Sequence, residues 1–355
     1  MGRVRSRGVR AALLALAILV LVLAPAGTAL AAITINGAGA TFPYPLYSRW
    51  AAEYKSRTGV QVNYQPIGSG GGIAAIKAGT VLFGGSDAPL SASELTAAKL
   101  VQFPTCVGGV VPIVNLPGVG NGKLRLTGPV LAKIFLGEIK RWNDPAIKNL
   151  NPGLSLPSST IYVVHRSDAS GTTWIFTHYL SAVSSTWQSK VGADKSVKWP
   201  VGIGGKGNEG VTALVKAAKG RIGYVEYAYA LQSRVPWAQM KNKAGYWVQP
   251  SLSSFAAAAA GATWSAKNGF ATILVNASGA KSWPIAGASF VLTRKSTSDY
   301  TTARAMYKFW YWAYTNSTAR SLAAQLHYVS MPLSVVKAVT NVWHTQVTAG
   351  GKPVW

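Results

Sequence analysis

From residue 33 onward, apolar runs alternate with amphipathic stretches along almost the whole chain. Short runs rich in β-branched and aromatic residues predict strands at 61–66, 110–115, 160–165, 222–227 and 289–293. Stretches with helical periodicity predict helices at 43–57, 72–79, 91–99, 129–136, 172–181, 210–218, 301–315 and 317–326. Strands alternating with helices argue an α/β fold with parallel or mixed sheets. The alanine run 256–260 reads as the surface of a helix. The aromatic run 309–314 contains Trp310, Trp312 and Tyr314 and could stack bases, but its spacing fits a buried amphipathic helix better.

The first 32 residues read as an address rather than as part of the fold. Arg3, Arg5, Arg7 and Arg10 precede an uninterrupted apolar run at 11–24, which Pro25 and Gly27 break before Ala29-Leu30-Ala31. That order is a cleavable secretory signal, and the run is short of the ~20 residues that span a bilayer. With no Cys after the run to carry a lipid, the mature chain is expected to be soluble and periplasmic. The chain of 355 residues, less this leader, has room for two domains of ~100–200 residues each.

Charge then changes the picture. The chain has 35 Lys and Arg against 10 Asp and Glu, a formal net charge of +25. Hydrophobic content of 49% with 13 Trp and 15 Tyr excludes a disordered basic tail. A single Cys excludes an internal disulfide framework and a Cys-rich zinc site. The basic surplus is spread along the chain rather than gathered in one footprint, which argues against a nucleic-acid module. It reflects scarce carboxylates as much as abundant Lys and Arg, as expected of a protein working in an acidic space outside the cytoplasm.

Three segments share one order: a small or polar turn, hydroxyl side chains, then a helix. They are Gly37-Ala38-Gly39-Ala40-Thr41-Phe42-Pro43, Gly68-Ser69-Gly70-Gly71-Gly72, and Arg166-Ser167-Asp168-Ala169-Ser170-Gly171-Thr172. Each places backbone N–H groups and a hydroxyl at a helix start, where the dipole favours an anion. Arg166 adds a planar fork of donors suited to an oxyanion. Asp87, in Gly84-Gly85-Ser86-Asp87-Ala88-Pro89, is either a cap or a proton acceptor. An ionised carboxylate only accepts hydrogen bonds, so beside an anion it is favourable only when that anion still carries a proton. Protonated phosphate does; sulfate does not.

The motifs GAGATFPYPLYSRWA (37–51), VNYQPIGSGGG (62–72), FGGSDAPL (83–90), RSDASGT (166–172), VKWPVGIGGKGNEGV (197–211) and IGYVEYAYA (222–230) carry a resemblance through nearly the whole mature chain. It resembles the phosphate-binding proteins of bacterial phosphate ABC importers. That resemblance implies a two-lobed, type II-like periplasmic-binding-protein fold, with two mixed sheets flanked by helices and a two-strand hinge. The lobes would be 33–113 plus 286–355, and 114–285, with hinge strands 110–115 and 284–291. It places ligand contacts on Thr41, Phe42, Ser69, Asp87, Arg166, Ser170, Gly171 and Thr172, with Asp168 bracing the Arg. The implied partners are inorganic phosphate and the importer's permease and ATPase subunits, met by a monomer with no cofactor. A second Ser is common in relatives at the position of Gly70.

Two rival readings remain for the residues. A phosphate-transferring enzyme would want a metal cluster or an activated nucleophile, but the four His residues show no metal-binding spacing. There is neither a GxSxG elbow nor a phosphate-binding P-loop. A binder of another oxyanion, sulfate or molybdate, is the nearer alternative, and Asp87 is the residue that separates it.

Overall fold

The computed structural model describes residues 33–355; the leader and its cleavage site lie outside the described residues. Nine strands form the main sheet: β1 (Thr34–Gly39), β2 (Gln61–Pro66), β3 (Phe83–Ser86), β4 (Leu100–Asn115), β5 (Tyr162–Arg166), β6 (Ile203–Gly205), β7 (Arg221–Glu226), β8 (Ala286–Arg294) and β9 (Val329–Ser330). Their order is β2-β1-β3-β8-β4-β7-β5-β6, with β9 pairing to β4 off that path. β1 runs parallel to β2 and β3, and β5 parallel to β6 and β7. β8 is antiparallel to β3 and β4, and β4 antiparallel to β7, so the sheet is mixed.

The two expected sheets are therefore continuous, because β4 belongs to both. Its residues Leu100 to Gly109 pair with β8, and Val110 to Asn115 pair with β7. Every residue of β4 before Asn115 is buried, so no polar alternation marks it in the sequence. Only 110–115 is predicted as a strand, because Gln102, Pro104, Thr105, Gly108 and Gly109 break up the apolar run before it. Gly108 and Gly109 sit at the change of partner, where Phe42 and Phe255 pack against the strand; a methyl group on Gly108 would lie 2.9 Å from the Phe42 ring. The pairing of β4 with β8 shifts register between Ser289 and Phe290, a bulge that leaves Thr105 as the extra residue. The Thr105 hydroxyl donates to the Ser289 carbonyl at 3.1 Å.

The predicted helices all form, with ends displaced by at most three residues. Those that position the site are α1 (Tyr44–Thr58), α2 (Ser69–Ala78), α3 (Gly171–Val183) and α4 (Gly207–Ala217), followed by the short α5 (Tyr227–Gln232). The aromatic run falls in α6 (Tyr300–Thr315), with Phe309, Trp310 and Tyr314 buried. Trp310 packs edge-on to Tyr47 and Phe83, at 5.1 and 5.2 Å between ring centroids, so these rings are core rather than a base-stacking surface. The alanine run lies mostly in the helix Leu252–Ala259, where Ala258 is buried, so it is only partly surface. β1 and β3 are absent from the sequence prediction. Their GAG and GGS segments carry little apolar signal, because the sheet and α2 come too close there for side chains: a methyl on Gly72 would lie 2.5 Å from the Gly39 Cα.

Candidate functional site

Four helix starts converge where strands β1, β3, β5 and β6 end. α1 begins after Pro43, α2 after Gly68 and α4 after Lys206, none with a side-chain cap. α3 is capped by Ser170, whose hydroxyl oxygen accepts from the Thr173 N–H at 3.1 Å. That bond uses a lone pair and leaves the Ser170 hydroxyl proton available for donation. With uncapped first turns and aligned dipoles, the region is electrostatically prepared for an anion.

Arg166 ends β5 and is 3% exposed. Its Nε donates to Asp168 Oδ1 at 2.8 Å and its Nη2 to Asp168 Oδ2 at 2.5 Å. This two-point grip locks the guanidinium plane. The Gly207 N–H, at the start of α4, also donates to Asp168 Oδ1 at 3.0 Å. Burial pushes the Asp168 carboxyl up, but the bonds from Arg166 and Gly207 outweigh it and hold the group below its ordinary value. The remaining nitrogen, Arg166 Nη1, is buried with no hydrogen-bond partner among the described residues. A buried cationic N–H without an acceptor is costly, and it is the clearest pointer to an anionic ligand.

Asp87 follows β3 and is 1% exposed. Its Oδ1 accepts from the Ser289 hydroxyl at 2.8 Å, where β8 meets the bulge of β4. Burial raises its carboxyl to about 7, against the lowering effects of the Ser289 bond and the Arg166 charge. Ser69 Oγ accepts from the Asp87 N–H at 3.1 Å and the Gly171 N–H at 3.0 Å, tying α2, β3 and α3 together. Gly171 must be glycine here, since a methyl group would lie 2.6 Å from Asp87 Oδ2. Gly70 is explained in the same way: its N–H donates to the Ala169 carbonyl at 2.9 Å, and a methyl on it would lie 2.5 Å from the Ala169 Cβ.

Thr41 and Thr172 are joined by a residue that the sequence reading did not single out. Asn208, fully buried in the first turn of α4, donates from Nδ2 to Thr41 Oγ1 at 2.7 Å and to Thr172 Oγ1 at 3.2 Å. Its Oδ1 accepts from the Glu226 N–H at 3.0 Å. The carbonyls of the first loop are held as well: Tyr64 donates to that of Ala40 at 2.9 Å and Tyr229 to that of Thr41 at 2.5 Å. Phe42 is buried in the same loop, leading into α1. All the expected residues therefore lie in one neighbourhood. Asn208, Ser289 and Tyr229 are the additions. The signal for Asn208 was present, because Gly205-Lys206-Gly207-Asn208 before α4 repeats the turn-then-helix order of the other three loops.

A family profile described as a PBP superfamily domain matches residues 24–317. The phosphate-binding protein PstS of Xylella fastidiosa (strain 9a5c) is 52% identical over 322 residues, covering 91% of this chain and 88% of that protein. The protein of the same name from Pasteurella multocida (strain Pm70) is 52% identical over 323 residues, covering 91% and 93%. Among solved structures, a high-affinity periplasmic phosphate-binding protein (PfluDING) bound with phosphate aligns with a TM-score of 0.68 at 24% identity, covering 90% of this chain and 96% of that one. The shared fold is the two-lobed α/β arrangement of periplasmic binding proteins.

Proposed function

The chain belongs to the family of PstS phosphate-binding proteins, and on that premise we propose that it captures inorganic phosphate outside the cytoplasm and delivers it to a membrane ABC importer. The observation that carries this reading is Arg166 Nη1, a buried cationic donor with no acceptor among the described residues, in a region of helix starts and hydroxyls. One phosphate oxygen takes that donor. The hydroxyls of Thr41, Ser69, Ser170 and Thr172 and the N–H groups of Phe42, Gly171 and Thr172 share the others. Asp168 orients the Arg166 fork without touching the ligand.

Asp87 reads the ligand's proton. Its one side-chain donor is a neutral hydroxyl, so its carboxylate has room to accept from a P–OH group. A fully deprotonated oxyanion brings no proton and meets a buried like charge instead. Sulfate and molybdate are thereby disfavoured.

Residues 33–113 plus 286–355 form one lobe and 114–285 the other, hinged where β4 and the segment before β8 cross. Phosphate bridging the lobes favours the closed form, which the importer's permease and ATPase subunits recognise. The protein acts as a monomer in the periplasm after loss of residues 1–32, and it binds rather than transforms its ligand. Titration calorimetry tests this directly: phosphate binds far more tightly than sulfate or molybdate at neutral pH. Equal affinities, or measurable turnover of p-nitrophenyl phosphate, would overturn the reading. Small-angle scattering should show compaction on adding phosphate.

A further inference from the structure

A second buried carboxyl lies close to the site without joining it. Glu226 ends β7, pairs with Val110 where β4 changes partner, and is fully buried. Its Oε2 lies 2.7 Å from the Tyr328 hydroxyl and accepts from the Ala228 N–H at 2.8 Å, while its Oε1 has no partner among the described residues. The same Tyr328 hydroxyl lies 2.7 Å from the Phe42 carbonyl.

Counting protons decides what this means. Tyr328 has one hydroxyl proton and two oxygen neighbours, and the Phe42 carbonyl can only accept. If Tyr328 donates to Phe42, its contact with Glu226 is a hydrogen bond only when Glu226 Oε2 carries a proton and donates it. If Glu226 is ionised, it takes the tyrosine proton, and the Phe42 carbonyl is left against a lone pair. The unpartnered Oε1 points the same way, since a neutral C=O costs less to bury unpaired than a charged oxygen.

We infer that Glu226 is a protonated, neutral acid that positions the ligand-binding loop, donating to Tyr328 so that Tyr328 can donate to the Phe42 carbonyl. Its backbone N–H meanwhile holds the Asn208 amide that links Thr41 to Thr172. One residue thus braces both sides of the first loop. The charged and titratable groups acting on Glu226 and Tyr328 are Asp87, Cys106, Tyr229 and, next in chain, Tyr227, all acids. No Lys or Arg pairs with Glu226 among the described residues. Burial, with Asp87 adding to it, pushes the Glu226 carboxyl well above its ordinary value, against the bonds from Tyr328 and the backbone. His327, the neighbour of Tyr328, is pushed by burial toward its neutral form and supplies no compensating charge.

This role rests on phosphate being the ligand, and the test separates the two. Infrared difference spectra of the full mature chain at neutral pH should contain a protonated-carboxyl band that E226Q removes and D87N retains. This readout needs no ligand. In phosphate calorimetry, E226A and Y328F should each weaken binding about tenfold, the effect of one buried hydrogen bond. E226Q, whose amide nitrogen can donate to Tyr328 but cannot accept from the Ala228 N–H, should recover only part of that loss. Absence of the band, or phosphate affinity unchanged in Y328F, overturns the assignment. Absence of phosphate binding by the parent protein, with the band present, overturns the ligand instead.

Discussion

Asp87 and Asp168 both feel the Arg166 guanidinium, yet the same side chain behaves in opposite ways. Asp168 receives Nε and Nη2 of Arg166 and the Gly207 N–H, and its carboxyl is held low. Asp87 receives one neutral hydroxyl from Ser289, feels Arg166 only at a distance, and burial raises its carboxyl to about 7. The difference is in donors supplied, not depth alone. A satisfied carboxylate is a strut; an under-supplied one is a sensor, since its remaining lone pairs wait for a proton from elsewhere.

The largest way to break this contrast is to remove the cation that both carboxylates feel. R166A should lower phosphate affinity at least about 100-fold in calorimetry, because it deletes the buried Nη1 donor and leaves Asp168 with the Gly207 N–H alone. Next, D87N should raise sulfate affinity and cut the phosphate-to-sulfate ratio about tenfold or more in competition binding, since the amide can donate. The titration sharpens the same point. Asp87 protonates as pH falls through about 7, so sulfate binding by the parent protein should strengthen about tenfold from about pH 8 to about pH 6, and D87N should abolish that slope. N208A should weaken phosphate binding only about tenfold, by unlinking Thr41 from Thr172.

The smallest effect is on stability, and its sign follows from the two directions. Asp87 is raised on folding, so its contribution is complete below the ordinary carboxylate range and is lost as pH rises through about 7. Asp168 is lowered, so its contribution is present above that range and lost as pH falls through its depressed value. The other ion pairs among the described residues, Glu53 with Arg57, Glu138 with Lys190 and Asp194 with Lys195, are exposed enough to be worth little. Melting temperature of the ligand-free protein should therefore decline gently from about pH 4 to about pH 8 and collapse only well below the ordinary carboxylate range.

Local chemistry was legible in the sequence, and long-range assembly was not. Thr41, Ser69 and Ser170 stand out because each loop announces its helix within a few residues. The Arg166–Asp168 brace also spans only two positions, but it was expected from the family resemblance rather than from spacing. Ser289 meets Asp87 from 202 residues away, and Asn208 meets Thr41 across 167, so neither partnership leaves a trace in spacing. The first part of β4 was missed because Gln102, Pro104, Thr105, Gly108 and Gly109 interrupt its apolar run, and β1 and β3 because glycines replace the apolar residues that mark strands. Glu226 is the hardest case: its role turns on where one proton sits, and nothing in the string Tyr-Val-Glu-Tyr encodes that.

β4 carries a mechanical consequence. Its hydrogen bonds change owners between Gly109 and Val110 without any break in the strand. Reorienting one end of the sheet against the other must therefore be absorbed as torsion distributed along peptide units, not as free swing about a loop. Such an element behaves as a stiff spring with two neighbouring glycines as its compliant coil. A side chain at either glycine would meet the Phe42 or Phe255 ring, so that compliance depends on the missing Cβ atoms.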